Sequence, residues 1–332
     1  MAKSSNASSS YFGVDFQRNA AIVLLLKNIE KVSKIKVEGQ KEDIEITLNN
    51  EKIIYSQVKS VEKQEDTSHV IQKLEDALKT LNEASKEPNV DSLIYVTNSP
   101  NPFNSIKTMY NFSGSYTLLK YNNLNSICRE KIDNICKKND YFLDKNQLSV
   151  CVIQFPYELD NRYKVVKDVI NEFLYKLDIS DKGYGNILLE IWQNDFFKNI
   201  TIKRICITKK QVIWPIIVLL CKINRNDAKL INLDDGEFSE IKKNYESVIY
   251  NNSERFTFIT KVVSLYQNYK DTKKSEDIDN NVFIESHWQH FKEEIDLKLA
   301  TPDIIKKVLC LTLSNVINNR YDINRIKKAV NL

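Results

Sequence analysis

Proline and glycine are both scarce in this chain, six of each in 332 residues. Collagen-like, low-complexity and turn-dense all-β architectures need many residues that restrict φ or tolerate its positive values, so all three are excluded. Histidine is rarer still, with three copies, and there is no G-x-S-x-G or Cys/His signature. Both facts argue against a hydrolase built on a nucleophile and a histidine base. The six cysteines, Cys128, Cys136, Cys151, Cys206, Cys221 and Cys310, show no C-x-x-C and no pairing rhythm, as reduced core thiols do in cytosolic proteins. The most apolar late run, Val212 to Ile223, is broken by Pro215 and falls short of the about 20 residues that cross a bilayer. Met1 to Ser10 is polar and Ser-rich without the apolar stretch of a secretory signal, and reads as a frayed tail. A cytoplasmic protein that does not enter the membrane is expected.

What is present describes a folded protein. The chain is 42% hydrophobic, 10% aromatic and 28% charged, close to globular averages, and its length is about twice the usual ~150-residue domain. Two domains are expected. The net charge of +4 is too mild to announce a nucleic-acid binder by itself, so any DNA site must be local.

Apolar residues at helical spacing (Phe16, Ala20, Val23, Leu24) predict a first helix over Phe16 to Ile29, with Asp15 placed to cap it. Three extended segments follow, ending at Gly39, spanning Glu42 to Leu48, and spanning Lys52 to Val61. In the second, Ile44, Ile46 and Leu48 alternate with Asp43, Glu45 and Thr47, which gives one apolar and one polar face. A helix capped by Ser68 carries the stripe Ile71, Leu74, Leu78 and Leu81. Asp91 to Thr97 and Gln147 to Phe155 read as interior strands, with a helix between them over Leu124 to Lys137. The fold class is therefore α+β: a mixed sheet flanked by helices over residues 11–156, after the tail 1–10. Past a boundary near Phe155 to Leu159, residues 157–332 read as a mainly helical domain, with helices at Asn161 to Leu177, Asn186 to Asn199, Lys209 to Cys221, Glu237 to Tyr250, Ser253 to Lys270, Val282 to Leu299 and Pro302 to Asn319. The stretch Ser180 to Asn186 lacks the G-K-[ST] ending of a phosphate cradle and reads as a loop.

The chemically informative residues are Glu38, Asp43, Gln57 and Lys59, on consecutive strands. Gln57 and Lys59 are two apart and share a face, while Val58 points to the other. Phosphodiester hydrolysis with a hard divalent cation needs oxygen ligands, an activated water and a cation near the developing charge. Asp43 offers a carboxylate, Gln57 a side-chain carbonyl, Val58 a backbone carbonyl and Lys59 the cation.

The segments YFGVDFQRNAAIVLLL, VEGQKEDIEI and YSQVKS together resemble the PD-(D/E)XK nuclease superfamily. More closely, they look like the effector endonuclease domains of bacterial anti-phage systems, such as the CD-NTase-associated Cap-type nucleases and relatives found beside HerA-like ATPases. In that group Q-x-K replaces (D/E)-x-K, matching Asp43 and Gln57-Val58-Lys59, while the family's helix-one Gln falls on Gln17 and its strand-one acid on Glu38. The resemblance covers about the first ~150 residues and implies a restriction-endonuclease-like fold and a Mg²⁺- or Mn²⁺-dependent deoxyribonuclease. It implies metal held by Asp43, Glu38, Gln57 and Val58, DNA as substrate, a homo-oligomer, and a HerA-like ATPase or another defence sensor as partner. Past Pro156 no segment resembles the cyclic-oligonucleotide sensor of Cap-type effectors. The alternative is a non-catalytic module that binds nucleic acid or an ATPase on the same fold.

Other residues read more plainly. His287 and His290 lie i, i+3 on an expected helix, a legal metal spacing without a third ligand nearby, and are assigned to the surface or to helix packing. His69 is expected to be exposed. Lys203-Arg204 and Lys209-Lys210 read as ordinary solvated pairs, and Trp192, Trp214 and Trp288 as core or interface anchors.

Overall fold

The computed structural model describes residues 7–64, 66–180, 183–202, 205–221, 255–272, 279–294 and 301–332, with positions 236, 239 and 243. The chain divides into two units, Met1–Lys209 and Lys210–Leu332. The first opens with α1 (Ala7–Lys27), then β1 (Val32–Val37), β2 (Ile44–Leu48), β3 (Ile53–Lys59), α2 (Val70–Ala84) and β4 (Val90–Thr97). It continues through β5 (Tyr116–Lys120), α3 (Ser126–Lys138), β6 (Leu148–Ile153), α4 (Leu159–Arg162), α5 (Lys164–Lys176), α6 (Tyr184–Thr201) and β7 (Ile207–Thr208). The strands form one mixed sheet in the order β5-β6-β4-β3-β2-β1-β7. β1, β2 and β3 are an antiparallel meander, β3, β4 and β6 run parallel, and β5 and β7 close the edges antiparallel. The α+β class expected from the sequence is what the chain adopts.

Alternation along the strands assigns the two faces. Tyr55, Leu93, Tyr95, Leu148, Val150 and Val152 form one apolar core with Leu74, Leu78 and Leu81 of α2 and Cys128, Ile132 and Ile135 of α3. The intervening residues Ile54, Val58, Ile94 and Val96 are buried on the opposite face, against which α1 packs along β1, β2 and β3. β3 and β4 are thus covered on both sides, which is why they read as continuous apolar runs.

The unit extends past the boundary expected near Phe155 to Leu159, and α1 supplies the reason. Ala20 through Leu26 are all buried, so this half of the helix is apolar all round and needs cover on its outer side too. α5 and α6 provide it, packing on α1 and on each other through the buried Val166, Ile170, Phe173, Leu188, Trp192 and Phe196. Asn199 of α6 accepts the Val37 N–H at 2.8 Å, and β7 pairs with β1 through Ile207 opposite Ile35.

Several local expectations are corrected. α1 starts at Ala7, so residues 7–10 of the expected tail are helical. Asp15 is interior to α1 and bonds Arg18, Asn19 and Tyr163 instead of capping. The Ser68 hydroxyl donates to Asp66 Oδ1 at 2.6 Å, and His69 occupies the N-cap of α2 without a side-chain bond. β5, only five residues long, is a strand because β6 offers it a free edge. Tyr184 to Asn186 of the expected loop lie in α6. The second unit carries most of α7 (Lys209–Leu220), then α8 (Arg255–Thr272), α9 (Asn280–His287), a 3₁₀ turn over Trp288–Glu294, α10 (Pro302–Asn318) and α11 (Arg320–Ala329). Asp279 caps α9 and Thr301 caps α10 ahead of its N1 proline. The expected helix Glu237 to Tyr250 and the pair Lys203-Arg204 lie outside the described residues.

A fragment of residues 1–209 should unfold in one cooperative transition, whereas residues 1–156 should not, because each apolar side chain of α5 and α6 removed from α1 costs about 1.5–3 kcal/mol against a net stability of about 5–15 kcal/mol. Thermal unfolding followed by circular dichroism distinguishes the two. A cooperative 1–156 fragment would show that α5 and α6 are dispensable.

Candidate active site

The site forms where the β1–β2 hairpin meets the end of β3. Val37 pairs with Ile44, and Glu38 to Asp43 make the connection. Glu38 adopts φ 52°, the left-handed region, and its N–H donates to the Asp43 carbonyl at 2.8 Å. Glu45 braces the bend by accepting the Lys41 N–H at 2.7 Å. A Cβ at Gly39 would lie 2.3 Å from the Glu45 side chain, so a substitution there displaces that carboxylate from the Lys41 N–H.

β2 and β3 pair Ile44 with Ser56, so one step further Asp43 stands opposite Gln57. Asp43 Oδ2 accepts the Val58 N–H at 2.8 Å and a hydrogen bond from Gln57 Nε2. Gln57, buried at the end of a doubly covered strand, has its own carbonyl engaged by the Thr80 hydroxyl of α2 at 2.8 Å. Gln17 of α1 reaches across and donates to the Asp43 backbone carbonyl at 3.1 Å. The structure therefore brings Gln17, Glu38, Asp43, Gln57, Val58 and Lys59 to one place. It places Gln57 and Val58 as donors to Asp43, where the sequence reading had them as oxygen ligands of a metal.

Glu42 was missed by that reading. Simple alternation would align it with Ile44 and Ile46 on the α1 side. The bend before β2 breaks the alternation and turns it toward Thr80, Asp43 and Lys59. It is 4% exposed, and neither carboxylate oxygen has a hydrogen-bond partner. The Thr80 hydroxyl, near enough to favour the anion, instead donates to Gln57 Oε1 at 2.8 Å, with the Ala77 carbonyl as its alternative acceptor at 3.1 Å. Burial above all, and then the Asp43 charge, push the Glu42 carboxyl up to about 8. Asp43 is also raised by burial, against the opposing pull of the Val58 N–H and the Lys59 charge, while Glu38 adds to the rise. Lys73 of α2 donates to the Ser60 carbonyl, and burial and Lys59 lower its ammonium. The site thus brings together three acids and two lysines. Thr80 and Lys73 stand seven residues apart on α2, a spacing that shares one helix face.

Two adjacent carboxylates raised by burial, one with both oxygens unmatched, fit a hard divalent cation, which would neutralise both. Among the described residues no group of three or more His, Cys, Asp or Glu could hold a metal ion. This donor set suits an ion that keeps several waters and takes one or two carboxylates plus substrate phosphate, as Mg²⁺ does.

Other sequence candidates lie elsewhere. His287 stacks on Phe283 at 4.4 Å and meets His290 edge-on at 5.6 Å, with its Nδ1 2.9 Å from the Phe283 carbonyl, a packing arrangement in the second unit. Lys209 is buried and donates to the Glu30 carbonyl at 3.1 Å. Trp192 and Trp214 are buried. No helix among the described residues is long and apolar enough to cross a membrane. Comparison with known proteins returns no match: no family model, no curated protein and no solved structure is similar to this chain.

Glu42 sets a pH signature. A carboxyl raised from 4.5 to about 8 in the folded state binds a proton there that the unfolded chain has released. Stability should therefore fall as pH rises from about 4.5 through 8. Glu42→Gln should match wild type at pH 4 and exceed it at pH 8.5 by on the order of a few kcal/mol, read by urea unfolding. Mg²⁺ should flatten the wild-type dependence and leave the variant unmoved. Equal stability of the two proteins at pH 8.5 would mean that Glu42 is not held as a strained acid.

Proposed function

We propose that the Met1–Lys209 unit is a metal-dependent DNA endonuclease that hydrolyses phosphodiesters, in keeping with a role in anti-phage defence. The observation that carries this reading is Asp43, fixed at the start of β2 by Gln57 and Val58 with Lys59 acting on its charge. The order of helix, antiparallel meander, helix and parallel strand supports it, because this is the order the resemblance implies.

Mg²⁺ or Mn²⁺ held by Asp43 and Glu42, with Glu38 nearby, would supply a water of lowered pKa and neutralise phosphate charge. Lys59 orients the attacking water, whose proton leaves to solvent, and its ammonium opposes the negative charge that grows on the phosphoryl oxygens. Lys73 adds a second positive charge at the C-terminal end of β3 and orients the scissile phosphate. Gln57 and Val58 hold Asp43 in one rotamer, and Gln17 fixes the hairpin that carries it, so the carboxylates are set before substrate arrives. The Lys210–Leu332 unit is mainly helical among its described residues. Its role is assembly, either into a homo-oligomer or onto an ATPase or other sensor of the same defence system.

A second reading, a non-catalytic nucleic-acid- or ATPase-binding module, is favoured by one observation: Gln57 faces Asp43 with its amide nitrogen, and Asp43 Oδ2 already accepts two hydrogen bonds. Plasmid cleavage separates the two. Wild-type protein should nick supercoiled DNA only with Mg²⁺ or Mn²⁺. Asp43→Ala should abolish cleavage and leave the protein folded. Lys59→Ala should lower cleavage by at least ~10²–10³-fold, while DNA affinity, titrated in Ca²⁺, loses about one phosphate contact's worth. If wild-type protein binds DNA and never cuts it, the module reading stands.

A further inference from the structure

The first unit contains a cavity of about 470 Å³ between the first half of α1, the segment after β6, α4 and α6. Its size falls within the about 300–1,000 Å³ of small-molecule sites. It opens beyond the C-terminal end of β6, the end at which open sheets with parallel strands take their ligands. The cleavage-site reading uses none of its lining.

The walls are aromatic and the charged groups are arginines. Tyr11, Phe12, Tyr157, Tyr163 and Phe197 line it together with Arg18 and Arg162. Asp15 is committed to positioning both guanidiniums: its Oδ1 accepts from Arg18 at 2.6 Å and its Oδ2 faces Arg162 at 3.5 Å and accepts from Tyr163 at 2.9 Å. Two positive charges against one negative leave the pocket cationic. Arg162 lies over the Phe12 and Tyr157 rings at 5.3 and 5.6 Å, and the Nε of both arginines is buried without a partner. Each guanidinium also keeps terminal N–H groups beyond those that Asp15, the Gln193 carbonyl and the Tyr157 carbonyl accept, and a phosphate can take these. Tyr11 is 75% and Phe197 51% exposed, so flat apolar surface stands at the rim, where a planar guest can stack.

A guest that satisfies both walls is planar, aromatic and anionic. We propose that this pocket binds a nucleotide, with the base against the aromatic rim and the phosphate at the arginine pair. The same chemistry is presented by a free mononucleotide and by an unpaired nucleotide of a strand. The site lies on a different face of α1 from Gln17, so it is separate from the proposed cleavage site and does not depend on that reading.

Calorimetric titration of the full chain in EDTA tests this. The probes are the four nucleoside monophosphates, adenosine, ribose 5-phosphate and a five-nucleotide oligodeoxyadenylate with a 5′-phosphate. At least one monophosphate or the oligonucleotide should bind, with adenosine and ribose 5-phosphate each at least ten-fold weaker. Comparable affinities assign the site to free nucleotides, and an oligonucleotide at least ten-fold tighter assigns it to a strand. Arg162→Ala should weaken binding at least ten-fold. Because Arg162 also braces Asp15, Tyr11→Ala serves as the variant that does not touch the fold. It should weaken base-bearing probes at least five-fold and leave ribose 5-phosphate unchanged. Lys59→Ala should bind as wild type does. The proposal is overturned if no probe binds the wild-type chain at ~5 mM, if Tyr11→Ala binds every probe as wild type does, or if Lys59→Ala abolishes binding.

Discussion

The carboxylate of Asp43 joins two elements that sequence alone leaves separate. β3 is covered on both faces, so the polar groups at its C-terminal end lose water and must find partners inside the protein. Asp43 meets that need from the neighbouring hairpin, accepting from the Gln57 side chain and from the Val58 N–H at 2.8 Å. Once it is fixed there, the rest of the site follows. Gln57 turns its carbonyl to Thr80, Gln17 closes on the Asp43 backbone, and Glu42 is carried into the gap between β2 and α2. The arrangement concentrates carboxyl groups in a dehydrated place, which raises Glu42 and Asp43, with Lys59 and Lys73 beside them. Such a balance is costly in an idle protein and useful when a charged ligand completes it.

α1 is the second organising constraint. Its apolar half needs cover all round, and the sheet can provide only one side. α5 and α6 are drawn in by that requirement, and with them come the Asn199 bond to β1 and the edge strand β7. The same helix serves both sites. Gln17 reaches Asp43, while Asp15 and Arg18, one turn apart, line the aromatic pocket. Asn98 ties the ends of the parallel strands together between them, accepting from the Val61 N–H at 2.7 Å and donating to the Phe155 carbonyl at 2.8 Å. A rigid frame at this end of the sheet is what a site made of side chains from four elements requires.

The second unit follows different rules. Its helices are held by aromatic contacts such as Tyr266 on Phe283 at 5.1 Å and Phe258 on Phe291 at 5.4 Å. His287 joins this stack on the Phe283 ring. α10 is buried over most of its length, Val308 to Ile317, so this part of the helix fills a core.

Periodicity and residue type alone determined the α+β class, the meander and its order, the doubly buried strands, and the placing of Asp43, Gln57 and Lys59 near one another. These are local properties: period two assigns faces, and adjacent strands in a meander bring neighbouring polar residues together. Tertiary structure decided the rest. The true extent of the first unit depended on how much apolar surface α1 had left to cover, although the run AAIVLLL signals an all-round apolar helix. Glu42 became a buried acid because a bend broke the alternation beside α2. Gln57 became a donor because its acceptor is a carboxylate 14 residues away in sequence. The pocket joins Tyr11 to Phe197 across most of the unit, and no spacing rule links residues so distant, because only the packing of α4, α5 and α6 on α1 brings them together.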